Sequence, residues 1–194
     1  MNHYSPLRYE RAYGRKGCFG RGTLISTPTG EVPIETIRIG DEVFGFDASG
    51  ELIVSKVTEV YEHEDIEVWE YEFWGGTKIV ATPTHFVLNV FNTFATFGSL
   101  EEGDLVVNFN NHAVHLVSKR HLDNHQVFNL DVLPTHTFLA NGIRVHNGGI
   151  GQDLRSLEGR KGKKKKKGGA ASAKEAPNTL QSRATARVLD LIGE

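Results

Sequence analysis

The amino-acid sequence predicts an all-β domain, and two observations support this fold class. About ten short runs rich in β-branched and aromatic residues follow one another at close spacing between residues 23 and 145. Almost no segment repeats its apolar residues with the 3.6-residue period of an amphipathic helix, and turn-forming Gly, Pro, Asn and Asp separate the runs. Many short strands with frequent turns are typical of all-β architectures.

Charge and aromatic content indicate where this domain begins and ends. Residues 18–147 hold 7 Lys and Arg against 18 Asp and Glu, a net charge of −11, whereas residues 1–17 carry +3 and residues 148–194 carry +6. All 11 Phe and both Trp lie in the acidic middle. We therefore predict one domain at 18–147, between an extended or flexible N-terminal flank, 1–17, and a basic, core-poor C-terminal flank, 148–194.

The predicted strands can be taken in chain order. The first is 23–27, and a segment punctuated by Pro33 and Gly40 precedes the next. The run 66–73 alternates in two phases, which indicates a bulge. We interpret Asn141-Gly142 as a turn between the last two strands, because both residues tolerate positive φ. The other predicted strands are 53–60, 77–82, 86–91, 105–109, 113–117, 127–132, 137–140 and 143–145.

Two peptide bonds at the edges of the domain have reactive neighbours. Gly17 precedes the only cysteine, Cys18, whose thiol could attack the Gly17 carbonyl and convert an amide into a thioester. Asn147 could attack its own carbonyl through its side-chain nitrogen and close a succinimide, which breaks the bond to Gly148. The preceding His146 suits the proton transfer that this step needs. Singly, an Asn-Gly pair is more often a turn and a cysteine a buried apolar residue, so the combination carries the hypothesis.

Three motifs in this order resemble the Hint superfamily, which comprises inteins, bacterial intein-like domains and the autoprocessing domain of Hedgehog proteins. The first begins at Cys18 and continues to Val43, the second is Thr82-Pro83-Thr84-His85, and the third spans 127–147. The resemblance implies a flat, horseshoe-like all-β fold whose two ends meet in one site.

The resemblance also implies roles for individual side chains. His85 would give a proton to the departing Cys18 nitrogen, while Thr82 would help to hold the Gly17 carbonyl oxygen. His136 and His146 would assist the ring closure of Asn147. No cofactor or metal is expected, since the chain supplies every reacting group. We expect the other histidines inside the domain to be surface or loop residues, with a zinc site built from the last four as the weaker alternative: His63, His112, His115, His121 and His125.

Two departures from the family pattern bear on the outcome of the reaction. Splicing inteins carry Cys, Ser or Thr after the terminal asparagine, but this chain has Gly148, so the expected products are cleavage fragments, as in the bacterial intein-like branch. An aspartate usually coordinates the two steps where this sequence has Asn129, and an amide does not act as a proton acceptor. Asp131, on the same strand face, could take its place.

The C-terminal flank resembles the start of the tail-tip host-specificity protein J family of long-tailed phages, through residues 174–194. Its five consecutive lysines, 163–167, read as a solvated linker rather than a nucleic-acid site, because no aromatic residues are interleaved. The expected partners are the chain's own flanks and, through residues 148–194, phage tail proteins.

Composition also bears on location. No apolar run approaches the roughly 18 residues of a membrane span, residues 1–17 lack the apolar core of a signal peptide, and a single cysteine excludes an internal disulfide. We expect a cytoplasmic protein whose C-terminal flank becomes virion-associated.

Three functional hypotheses remain open at this stage. The first is a domain that cleaves its own flanking bonds once, in cis. The second is ligation of the flanks through a non-standard nucleophile, such as an amine that attacks the thioester. The third is an inactive Hint scaffold that serves in tail assembly.

Overall fold

The computed structural model describes residues 17–147, and the sequence-based predictions for residues 1–16 and 148–194, including the phage-like flank, lie outside this range. Within it, every regular element is a β-strand apart from two single 3₁₀ turns, at Ile34–Thr36 and Phe97–Ser99. The strands are β1 Phe19–Gly20, β2 Leu24–Thr27, β3 Gly30–Pro33, β4 Glu42–Phe46, β5 Leu52–Phe73, β6 Lys78–Ala81, β7 Phe86–Leu88, β8 Phe94–Thr96, β9 Leu105–Val107, β10 Ala113–Leu133, β11 Thr137–Ala140 and β12 Ile143–His146. The all-β prediction is confirmed, and no helix of the described range is long and apolar enough to cross a membrane.

The strands form two six-stranded sheets. The first has the order β4-β5-β6-β1-β10-β9, with an added β5–β10 pairing, and the second has the order β3-β2-β11-β12-β7-β8. Both ends of the domain enter central strands: β1, which follows Cys18, pairs with β6 and β10, and β12, which precedes Asn147, pairs with β11 and β7. Each end of the domain is therefore held on two sides by neighbouring strands.

Two of the strands are much longer than the sequence predicts. The predicted strands 53–60 and 66–73 are parts of the continuous β5, and 113–117 and 127–132 are parts of β10. The division into short strands was wrong because residues 58–65 and 119–126 are largely exposed on the paired ribbon that β5 and β10 form. A ribbon that is solvated on both faces has no apolar alternation by which a strand could be recognised.

The predicted irregularity at 66–73 is present, although the extra residue belongs to the partner strand. His121 lies opposite Trp69, and the next paired residue of β10, Asn124, lies opposite Glu67. Strand β10 therefore advances by three residues where β5 advances by two. The turn at Asn141-Gly142 is also confirmed. Its φ angles of 46° and 73° are both positive, as a two-residue hairpin of type I′ requires.

Aromatic side chains dominate the centre of the core. Phe97 is fully buried and meets Tyr71 at 4.9 Å between ring centroids, Phe19 at 6.2 Å and Phe73 at 6.5 Å. Phe19 also contacts Phe138 of β11 edge to face at 5.9 Å. Because such tilted contacts add to the free energy of burial, this cluster fixes the position of β1 and of Cys18, which directly precedes it.

Candidate active site

The bond between Gly17 and Cys18 is buried, and Thr82 contacts its nitrogen. The Cys18 N–H donates to Thr82 Oγ1 at 2.8 Å, and the Thr82 N–H donates to the Cys18 carbonyl oxygen at 2.9 Å. Cys18 itself is 5 % exposed. The expectation that Thr82 holds the Gly17 carbonyl oxygen is corrected here: its hydroxyl lies on the nitrogen side of the bond, because the main-chain pairing with Cys18 brings it there.

A tight turn places Thr82 and His85 together. The His85 N–H donates to the Thr82 carbonyl at 3.2 Å, with Pro83 at the second position, where its fixed φ favours a turn. The adjoining 3₁₀ turn braces it, since the N–H groups of Phe97 and Gly98 donate to the carbonyls of His85 and Pro83. Two side chains of the predicted motif thus lie on one rigid element beside the scissile bond.

His85 is held as a neutral imidazole with one ring nitrogen available. Its side chain is 1 % exposed and packs on the Phe19 ring at 4.0 Å between centroids. Nδ1 lies 3.2 Å from the Phe86 carbonyl oxygen; a carbonyl only accepts, so Nδ1 carries the proton and Nε2 its lone pair. Nε2 has no hydrogen-bond partner among residues 17–147. Burial lowers the pKa of His85 to about 4, outweighing the Phe86 contact that raises it.

Asn129 lies next to this imidazole and is itself 1 % exposed. Its side chain raises the pKa of His85, yet neither of its amide atoms reaches hydrogen-bond geometry with any described residue. Buried polar groups are normally paired, so Asn129 and His85 Nε2 together present unused donor and acceptor atoms beside the scissile bond. The residue at the usual aspartate position therefore lies at the Cys18 end of the site.

The burial of neutral His85 predicts a specific loss of stability in acid. As the pH falls below about 6.5, the unfolded chain binds a proton at this residue, whereas the folded chain does not until the pH approaches 4. The contribution of His85 to the free energy of unfolding is therefore complete above pH 6.5. It falls by about 3 kcal/mol as the pH drops to 4, because each unit of difference between the folded and unfolded pKa corresponds to 1.36 kcal/mol.

Chemical denaturation between pH 7.5 and 4 measures this effect in a Cys18→Ala, Asn147→Ala chain that cannot cleave itself. The matched variant adds His85→Gln, which retains a neutral polar side chain of similar length. The free energy of unfolding should fall more steeply with acid when His85 is present. Parallel curves for the two proteins would contradict the assignment.

Gly17 leaves no space for a side chain. A Cβ at this position would lie 2.2 Å from His85 Cα, 2.4 Å from His85 Cβ and 2.4 Å from the His85 main-chain nitrogen. These are backbone or near-backbone atoms of a braced turn, so they cannot yield as the tip of a flexible side chain would. The residue before the scissile bond is therefore restricted to glycine by the same element that carries His85.

Replacing Gly17 by alanine should accordingly impair the first bond and spare the second. The added methyl group displaces the scissile peptide by about 1 Å, and a displacement of that size can cost on the order of a hundredfold in rate. The measurement is the rate of thiol-induced cleavage before Cys18, followed by intact mass, with release at Gly148 in the same sample as the internal control. An unchanged rate before Cys18 would show that the turn adapts.

The second candidate bond follows Asn147, which is 1 % exposed. The Asn147 N–H donates to the main-chain carbonyl of His136 at 2.9 Å, and its side-chain Nδ2 donates to Asp131 Oδ1 at 3.2 Å. Asn147 Oδ1 has no hydrogen-bond partner in the described part of the chain. The side-chain nitrogen that would attack is thus directed by a carboxylate.

His146 and His136 flank Asn147 in different ways. His146 is 6 % exposed, pairs with Thr137 and Phe86 in the sheet, and packs its ring against Phe94 at 4.8 Å. His136 is half-buried. Both line a cavity of about 280 Å³. His136 also contributes its main-chain carbonyl to Asn147, while Gly148 lies outside the described residues.

The sheets bring the two ends of the domain together. His146 pairs with Phe86, the residue that directly follows His85, and His146 lowers the pKa of His85 through its charge. Strand β10 contributes to both ends, since it carries Asn129 beside His85 and Asp131 beside Asn147. The sequence-predicted residues therefore converge on one region, as the resemblance implied.

Two residues of this region had not been singled out from the sequence. Tyr61 of β5 donates its hydroxyl proton to Asp131 Oδ2 at 2.8 Å, and nothing in its exposed, polar neighbourhood signals this contact. Arg144 of β12 is 1 % exposed, and its guanidinium donates to three main-chain carbonyls, which fixes β12 just before His146. A lone charge between the apolar Ile143 and Val145 was the available signal for Arg144.

The histidines assigned to the surface do not gather into a metal site. His121 contacts Glu67 at 2.9 Å, and His115 stacks on the exposed Trp74. Within residues 17–147, no group of three or more His, Cys, Asp or Glu side chains is placed to hold a metal ion.

Comparison with known proteins agrees with the fold. Residues 17–70 match the model of the Hint domain family. The bacterial intein-like domain from Clostridium thermocellum has a similar structure, with a TM-score of 0.64 and 29 % sequence identity over 67 % of this chain and 98 % of that one. No curated protein sequence matches the chain.

Two solved inteins show the same fold at lower identity. The Ssp DnaB mini-intein variant M86 gives a TM-score of 0.64 at 21 % identity, over 68 % of this chain and 93 % of that chain. The DnaB intein from Synechocystis sp. PCC 6803 also gives a TM-score of 0.64, at 23 % identity, over 68 % of this chain and 99 % of that chain. The chain therefore has the Hint and intein type of all-β fold.

Proposed function

We propose that this protein cleaves its own chain in cis, before Cys18 and after Asn147, and does so once per molecule. The observation that carries the proposal is the convergence of a buried thiol, a buried neutral imidazole and a buried asparagine at paired strands. An imidazole and an amide are costly to bury without hydrogen-bond partners, and all three groups are of the kind that peptide-bond rearrangement needs.

At the first bond, the lone pair on His85 Nε2 defines the order of proton transfers. The imidazole takes the proton from the Cys18 thiol as the sulfur attacks the Gly17 carbonyl carbon. The tetrahedral intermediate then collapses, the C–N bond breaks, and the imidazolium returns that proton to the Cys18 nitrogen. His85 thus acts as a base and then as an acid, and Thr82 keeps the nitrogen in register with it. Water then hydrolyses the thioester and releases residues 1–17.

At the second bond, the side-chain nitrogen of Asn147 attacks its own main-chain carbonyl carbon. A five-membered succinimide forms as the side-chain nitrogen gives up one proton and the bond to Gly148 breaks. The departing amine of Gly148 takes a proton from His136 or His146. Because Gly148 has no side-chain nucleophile, no branched ester can form by the usual splicing route. The flanks are therefore released as separate pieces.

Intact mass spectrometry of the freshly made 194-residue chain tests this function, with and without a small thiol such as 2-mercaptoethanesulfonate. Cleavage gives a 17-residue piece, trapped as its thioester when the small thiol is present, and a 47-residue piece that begins at Gly148. A joined product of 64 residues would instead establish ligation. A persistent mass for the intact chain, even with the thiol, would identify an inactive scaffold.

A further inference from the structure

Asn147 and Asp131 are in direct contact, and the contact involves the atom that reacts. Asp131 Oδ1 lies 3.2 Å from Asn147 Nδ2. A carboxylate accepts hydrogen bonds, so the amide must present its nitrogen to Asp131 and its oxygen away from it. That oxygen has no partner among residues 17–147, which leaves Asp131 as the group that orients the side chain.

Ring closure makes a demand that this contact can meet. The nitrogen of a primary amide is a weak nucleophile because its lone pair is delocalised, and it must lose a proton as the new C–N bond forms. The two histidines near Asn147 are needed on the other side, where the Gly148 nitrogen must gain a proton. We propose that Asp131 is the catalytic base that takes the proton from Asn147 Nδ2 during succinimide formation, an inference that rests on the proposed function.

Strand β5 contacts the Asp131 carboxylate. Its second oxygen, Oδ2, accepts the hydroxyl proton of Tyr61 at 2.8 Å, and its main-chain carbonyl accepts from the Thr58 hydroxyl at 3.1 Å. Tyr61 also contacts Glu59. A phenol has one proton to give, so Tyr61 can hold Asp131 only when it does not donate to Glu59. The titratable groups around Asp131 are therefore Tyr61 and Glu59 on β5, with His136 and His146 around Asn147.

With this assignment, two nearby residues of β10 contact different ends of the site. Asn129 and Asp131 are two residues apart on one strand and face the same way, about 7 Å apart. The amide of Asn129 lies at the Cys18 end, and the carboxyl group of Asp131 lies at the Asn147 end. A base at Asp131 therefore serves the second bond alone.

The test uses the full chain with Cys18→Ala, so that release at Gly148 is followed without the first reaction. Asp131→Asn keeps the shape and an oxygen acceptor but removes the negative charge, and Asp123→Asn, at an exposed position of the same strand, is the matched control. We expect Asp131→Asn to slow release about a hundredfold, the usual range for loss of a base, and Asp123→Asn to leave it unchanged.

Tyr61→Phe separates proton acceptance from positioning. It retains the carboxylate, so release should slow less than tenfold. Equal release rates for the parent and Asp131→Asn would overturn the inference, as would a Tyr61→Phe defect as large as that of Asp131→Asn. Absence of release from the Cys18→Ala parent itself would instead reject asparagine cleavage, and with it the proposed function.

Discussion

Replacement of Asn147 by alanine is expected to abolish release of the segment that begins at Gly148. The alanine variant has no side-chain nitrogen, so no ring can close on the main-chain carbonyl and the peptide bond has no internal nucleophile. Intact mass spectrometry of the chain over several days measures the fragment. Cleavage before Cys18 should continue, because its groups lie directly before β1 and on the Thr82–His85 turn.

The second Asn-Gly pair of the domain provides the control for that experiment. The side-chain oxygen of Asn141 accepts from the Leu24 N–H at 2.6 Å, and its nitrogen donates to the Lys78 carbonyl at 2.5 Å. With both ends of the amide occupied, Asn141 cannot turn onto its own carbonyl. Asn141→Gly, which tolerates the positive φ, should retain full release at Gly148. Loss of release in this variant as well would point to a general effect on folding.

Replacement of Cys18 by alanine is the second change with a complete expected effect. Without the sulfur no thioester forms, and a small thiol should no longer release residues 1–17. The measurement is the 17-residue thioester adduct, which should be absent, while the fragment from Gly148 persists. Cys18→Ser keeps an attacking atom of lower nucleophilicity and should retain slow cleavage that hydroxylamine accelerates. A thiol-released adduct from Cys18→Ala would place the reactive bond elsewhere.

The fold class could be predicted because most strands of the two sheets are short, rich in apolar residues and separated by turn residues. The long ribbon could not, since residues such as His63 and Glu64 are exposed and follow no apolar alternation. The burial of Cys18 and Asn147 in one region was accessible only through the family resemblance. Their separation of 129 positions is spanned by strand pairings that local patterns do not encode.

The finer features of the site were less accessible still. The Thr82 hydroxyl was expected at the carbonyl oxygen and lies at the nitrogen, because the side on which a hydroxyl lies depends on strand register. Asp131 was proposed from its strand face as a substitute for the missing aspartate. The structure instead places it at Asn147 and leaves Asn129 at His85, since two positions on one face lie far enough apart to reach different ends of the site.

The register between β10 and β5 determines where this domain can accept an inserted residue. From Val127 opposite His63 to Asp131 opposite Glu59 the pairing is uninterrupted, and irregularities lie directly on either side of that stretch. An insertion near His121, where the ribbon already carries an unmatched residue, would be absorbed by the solvated part. One residue inserted between Asn129 and Asp131 would turn one of the two to the opposite face of the sheet. Related chains should therefore vary in length along the outer ribbon and remain invariant in spacing over these five positions.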